Sequence, residues 1–213
     1  MEDVKKWYED TVVDKTLSSL EKNGFKTKKV DNREEALQWL LSIIPSNAEV
    51  GVGGSVTIRE IGIVKALEER GNVVYQHWKK GLSRQEREEI RKKQLTSDIF
   101  LTSSNAVTEE GELVNVDGGG NRVAAMIYGP GKVIVVIGIN KITGDLEDAL
   151  NRVMNVAAPM NCKRLGRKTP CVETGRCEDC NVPDRICNIT TIIERSPSIS
   201  DVMVLVVRES LGF

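Results

Sequence analysis

Apolar residues recur along this chain in two rhythms, one helical and one of short unbroken runs. Val4, Trp7, Tyr8, Leu17 and Leu20 fall at helical spacing and stop at Asn23-Gly24, which predicts a long opening helix over 1–24 whose apolar stripe packs or dimerises. Ala36, Leu37, Leu40, Leu41 and Ile44 trace a second helix face that ends before Pro45, because the residue preceding proline is pushed out of helical geometry. Residues 48–52 read as a short buried strand that turns through Gly53-Gly54-Ser55 into a helix carrying Ile58, Ile61 and Leu67 inward. Residues 84–94 are almost wholly charged with alternating sign, the pattern of a solvated helix face.

Further strands are predicted over 98–101 and 113–116, with a turn at 109–111 between them. The β-branched run 132–137 has the character of a strand buried on both faces. Helical period returns through Leu146, Ala149, Leu150, Val153 and Ala157, and 202–207 closes the pattern as a strand. Alternating strands and helices predict an α/β fold, an open and mostly parallel sheet with helices on both faces. At 213 residues the chain fits one domain, 1–213.

Thirty basic residues stand against thirty-one acidic ones, so no global field draws the molecule to nucleic acid or an anionic membrane. The longest apolar run, 133–139, is far short of the roughly 20 residues that cross a bilayer. The first fifteen residues mix both charges and make no secretory leader, so a cytoplasmic location is expected.

Candidate chemistry lies where strands end. Gly53, Gly54, Ser55 and Thr57 form a glycine turn between strand and helix, where backbone N–H groups favour an anion. The spacing matches neither the dinucleotide fingerprint nor a P-loop, and a bare turn is the plainer alternative. Glu60 lies one turn further on, as an acid/base or a solvated helix charge. A denser set comprises Ser104 and Asn105, then Asp117, Gly118-Gly119-Gly120, Asn121 and Arg122; consecutive glycines suggest a backbone passing close to something, and a bound ligand would explain them. Turn formation and helix capping would also select these residue types. Asp117 is a second acid/base candidate. Lys141 follows the strongest strand, where it would pair with an anion or act as a desolvated base, although surface lysines are commoner. His77, the sole histidine, reads as incidental.

Five cysteines crowd into 162–187. Cys177 and Cys180 have the two-residue spacing that clasps a metal, and Cys171 and Cys187 flank them in a loop over 159–190. Zinc, an iron–sulfur cluster, reduced structural thiols and disulfides all remain open, and the spacings match neither common ferredoxin pattern.

Taken together, GGSVTIREIG, LTSSNAVTEEGELVNVDGGGNRVAAMIYGPGKVIVVIGINKI and PMNCKRLGRKTPCVETGRCEDCNVPDRICN resemble the LUD (lactate utilization) domain family over nearly the whole chain. The resemblance implies the Rossmann-like superfold shared with ribose-5-phosphate isomerase, glucosamine-6-phosphate deaminase and coenzyme A transferases. It implies that Gly53, Gly54, Ser55 and Thr57 hold a phosphate or acyl substrate. It further implies a part in lactate oxidation beside partner subunits that carry the iron–sulfur and oxidase centres. The expected ligand is a small anionic metabolite held by the loops named above. The competing expectation is an accessory electron-transfer or scaffold subunit with a metal or cluster in its cysteine loop, and a homo-oligomer is compatible with either.

Overall fold

A computed structural model describes residues 1–213, the side chain of Glu2 excepted. The chain runs α1 (Glu2–Lys22), β1 (Lys26–Val30), α2 (Arg33–Ile43), β2 (Val50–Val52), α3 (Val56–Ile61), α4 (Ile63–Arg70), β3 (Val74–Gln76), α5 (Arg84–Gln94), β4 (Ile99–Thr102), β5 (Ala106–Thr108) and β6 (Leu113–Asp117). It continues through α6 (Asn121–Ile127), β7 (Lys132–Gly138), β8 (Ile142–Thr143), α7 (Leu146–Arg152), a π-helical turn (Val153–Ala157), α8 (Ala158–Arg164), α9 (Cys171–Thr174), β9 (Ile189–Ile193) and β10 (Asp201–Val207).

Six strands form a sheet in the order β1-β10-β7-β4-β2-β3, with every pairing parallel. Parallel sheets bury both faces, and β7 shows how its sequence achieves this. Ile134 and Val136 enter one core with Leu40, Ile58 and Leu67, whereas Val133, Val135 and Ile137 enter a second with Val13, Leu20 and Met126. Alternate side chains of a strand point to opposite faces, so a continuous β-branched run satisfies both. Helices α2, α3 and α4 cover the first face, and α1 and α6 the second.

A second sheet, β8-β5-β6-β9, was not expected from the sequence. It is mostly antiparallel and packs through Val107, Leu113 and Ile193 on the second core. Two other departures are local. The helix expected from 56 through 67 breaks at Gly62, which is left-handed at φ 79°. Within the α1 stripe, Val13 and Leu20 are buried but Trp7 and Tyr8 remain 64% and 61% exposed. The helical pattern read to Ala157 extends to Arg164, with the widened π turn immediately before Pro159. Proline lacks an N–H and its ring crowds the carbonyl four residues back, which a widened turn relieves. Among the described residues no helix is long and apolar enough to cross a membrane.

The turn between β5 and β6 clamps α1. Asn23 donates to the carbonyl of Glu110 at 2.9 Å, and Gly111 has φ 86°. A Cβ at Gly111 would stand 2.7 Å from the Leu20 nitrogen and 2.8 Å from the Ser19 carbonyl carbon, both backbone atoms. Gly111→Ala is therefore expected to cost about 2 kcal/mol or more. Gly81→Ala is the control: it has nearly the same φ, 85°, but nothing within 4 Å of an added Cβ. Urea unfolding of both variants checks this, and equal losses would refute the clamp.

Candidate functional site

The carboxyl ends of β2, β3, β4 and β7 point to one side of the parallel sheet. The chain leaves β2 for the edge strand β3 and then returns to β4 on the other side of β2, so the strand order reverses there. A crevice is expected at such a switch point, and a cleft of ≈ 380 Å³ lies there. Gly54, Ser55 and Thr57 enter it after β2, His77 after β3, Ser103, Ser104 and Asn105 after β4, and Lys141 after β7. Asp117, Gly118, Gly119, Asn121 and Arg122 come in from the loop that ends β6. The residues read from the sequence as one site thus share one cavity, apart from Gly53, Glu60 and Gly120. Gly53 packs instead against Thr102, whose Oγ1 would lie 2.9 Å from an added Cβ. Glu60 lies outside the lining and accepts the Gly212 N–H at 2.7 Å.

Several of these side chains are already engaged. Ser55 caps α3, its hydroxyl accepting from the Ile58 N–H at 3.3 Å, and Ser104 donates to the carbonyls of Ala106 and Val114. Arg122 uses all five of its donors. Nε reaches Asp117 at 2.8 Å, Nη1 reaches the Ser103 carbonyl at 2.9 Å and Asn115 at 2.6 Å, and Nη2 reaches Asn105 and the Val116 carbonyl, both at 3.0 Å. A guanidinium offers five N–H groups, so none is left for a ligand. Asp117 completes the knot by accepting the Val123 N–H. Arg122, Asp117 and Asn105 consequently hold the β4 and β6 loops together.

The glycine run beside them meets the cysteine loop. A Cβ on Gly118 would lie 3.3 Å from the Ile186 carbonyl oxygen, and Asn188 binds the carbonyls of Asp117 and Gly118. Gly120, at φ 77°, is left-handed ahead of α6. The close backbone approach expected of these glycines is made to another part of the chain.

Lys141 is the one basic side chain sealed into the floor, at 3% exposure. Its Nζ donates to Thr57 Oγ1 and Ser103 Oγ, both at 2.8 Å. Burial, together with the nearby positive charges of Arg152 and Arg122, pushes its amine down to about 7, with Glu60 opposing weakly. Near neutral pH such an amine exchanges a proton readily, the property a general base or nucleophile needs.

His77 is not incidental. Its ring lines the cleft, and burial with the Arg91 charge beside it pushes its pKa down to about 4. Gln94 lies 3.1 Å from Nδ1 and also donates to the carbonyls of Val52 and Tyr75.

The charged residues not singled out in the sequence are arginines. Arg59, Arg87, Arg91, Arg164 and Arg167 all line the cleft. Arg59 lies 4.8 Å over the Trp78 ring. Arg91 Nε is buried and has no hydrogen-bond partner among the described residues. The charged helix α5 is mostly solvated, as its alternating signs imply, but 87, 91 and 94 fall on one helical face. That spacing was the available signal, and the alternation of sign concealed it.

The LUD domain family matches residues 13–207 of this chain. No curated protein matches it. A solved crystal structure of a DUF162 family protein from Deinococcus radiodurans superposes with a TM-score of 0.55 over 93% of this chain and 98% of that one. The two are 14% identical, a likeness of fold alone.

Proposed function

Because the chain belongs to the LUD domain family, we propose that it binds a small anionic metabolite of organic acid utilization in the cleft at the carboxyl edge of its parallel sheet. A carboxylate such as lactate, a sugar phosphate and an acyl-coenzyme A are the candidate classes. One observation carries the reading: seven basic side chains line the cleft, against Asp117 as the only acidic one among the described lining residues, and Asp117 is already paired with Arg122. The whole chain has a formal charge of −1, so this local excess is a placed feature that focuses field lines on an anion.

The roles divide by availability. Arg59 and Arg91 supply unengaged cationic donors, Lys141 supplies charge or a proton from below, and neutral His77 presents its ring beside Gly54. Arg122, Asp117 and Asn105 position the loops and touch the ligand at most by their edges. Glu60 orients the 211–213 segment against Thr57.

A thermal-shift screen with lactate, sugar phosphates and acyl-coenzyme A compounds tests this. A ligand at 100 times its Kd stabilises by about 2.7 kcal/mol, which at this chain length raises Tm by roughly 5–10 °C. Arg91→Ala removes a donor that is unpartnered in the free protein, so stability is expected to hold or rise while affinity falls by about tenfold or more. No shift with any class, or full ligand response in Arg91→Ala, would count against the assignment.

A further inference from the structure

The cysteine segment has no part in that reading, yet its sulfurs converge. Cys162 on α8, Cys171 at the start of α9, and Cys177, Cys180 and Cys187 on the following loop all line one small hollow. None is in a disulfide. Residues as far apart as 162 and 187 meet there because three contacts fold the loop back: Lys168 N–H to Asp184 at 2.8 Å, Arg185 to the carbonyls of Cys180 and Cys187, and Asn155 to the Cys177 N–H at 3.2 Å.

The turn between Cys177 and Cys180 is shaped around sulfur. Asp179 is the only non-glycine residue with positive φ among those described, at 42°, and this conformation aims its N–H at Cys177 Sγ, 3.4 Å away. Backbone strain of that kind, of order 1–3 kcal/mol, persists where surrounding structure enforces it. N–H···S bonds of this kind stabilise sulfurs that bear the charge of a bound metal group. A second polar contact sets Thr169 Oγ1 3.2 Å from Cys171 Sγ.

Among the described residues, no three cysteine, histidine or carboxylate side chains stand in the mutual geometry that holds a single ion. Five thiols therefore surround a common hollow without meeting at a point. A ligand made of several atoms reconciles the two facts. Met154, Ala158, Pro159 and Ile186 give the hollow an apolar wall, and Glu178, Asp179 and Arg185 also line it, with Arg185 paired to Asp179 at 3.2 Å. An apolar wall beside five thiols suits a weakly hydrated group bound through sulfur.

We propose that four of these five cysteines hold an iron–sulfur cluster, assembled from iron and inorganic sulfide, at the hollow between α8 and the 175–188 loop. The hollow and the basic cleft share Ala158, Ile186 and Cys187, so the cluster sits directly behind the cleft wall. This assignment does not depend on what the cleft binds.

The test is purification of the full chain without oxygen from iron-supplied cells, followed by metal and acid-labile sulfide analysis and a visible spectrum. Iron and sulfide in equal stoichiometric amounts, with broad visible absorption, are expected. Cys177→Ala/Cys180→Ala should lose most of that iron while keeping the thermal response of the cleft to anions. Colourless wild-type protein that takes up no cluster on anaerobic incubation with ferric iron, a thiol reductant and sulfide would overturn the proposal. A tightly held stoichiometric zinc would overturn it equally. Because the wild type decides between these outcomes, a variant that fails to fold leaves the test intact.

Discussion

Arg122→Met is expected to destabilise the protein by about 3–5 kcal/mol, the usual cost of removing one partner from a buried charge pair, lowering Tm by roughly 10 °C for a chain of this length. The guanidinium and the Asp117 carboxylate are 13% and 11% exposed. Truncation strands that carboxylate with only the Val123 N–H, and it releases the Ser103 and Val116 carbonyls together with the side chains of Asn105 and Asn115. Arg122→Lys should not rescue, because three donors on one nitrogen cannot reproduce a planar fork. Arg122→Met/Asp117→Asn should recover part of the loss, since it removes the stranded charge. Thermal and urea unfolding of the three variants checks the account, and a loss below about 1 kcal/mol in Arg122→Met would sink it.

The second large effect concerns proton linkage at Lys141. Its amine titrates near 7 in the folded protein and at 10.5 ordinarily. Between those values the unfolded chain binds more protons than the folded one, so stability rises with pH across the window. Below pH 7 both states are protonated and the full cost of burying the ammonium is present. At roughly 1.4 kcal/mol per unit, the gain from pH 7 to 10.5 is of order 5 kcal/mol. Lys141→Met removes the group while Thr57 and Ser103 keep the Leu211 and Ser104 carbonyls as acceptors, so the variant should fold. Wild-type stability, measured relative to Lys141→Met, should climb through this range. Parallel curves would mean that the amine keeps its ordinary proton affinity.

Much of the parallel sheet was legible from composition alone. The runs at β7 and β10 are β-branched because each strand faces two cores, and no other environment selects that pattern so strongly. β1 escaped because Lys-Thr-Lys-Lys-Val is an edge strand whose lysines discourage further pairing. β5 escaped because three residues between Asn105 and Glu109 are too few for periodicity to register. For the site, the strand ends were readable and the division of labour was not. Asp117 and Arg122 have the residue types of catalysis, yet only their spatial partners show that each is saturated. His77 is a lone histidine in the sequence, and Arg59, Arg87 and Arg91 give it meaning only because α3 and α5 both border the cleft. The cysteines were legible as a group by spacing, and Cys162 reaches their hollow through a helix whose π turn no pattern of apolar residues discloses.

The placement of β10 has a consequence for synthesis. It lies between β1 and β7, pairing with β7 over Asp201–Val207 and with β1 over Met203–Val207. Translation delivers this segment after all nine other strands, so throughout elongation β1 has no neighbour and the hydrogen-bonding edge of β7 stays open. The nascent polypeptide must wait, with its central gap exposed to chaperones or to self-association, until a late-arriving segment threads between two early ones.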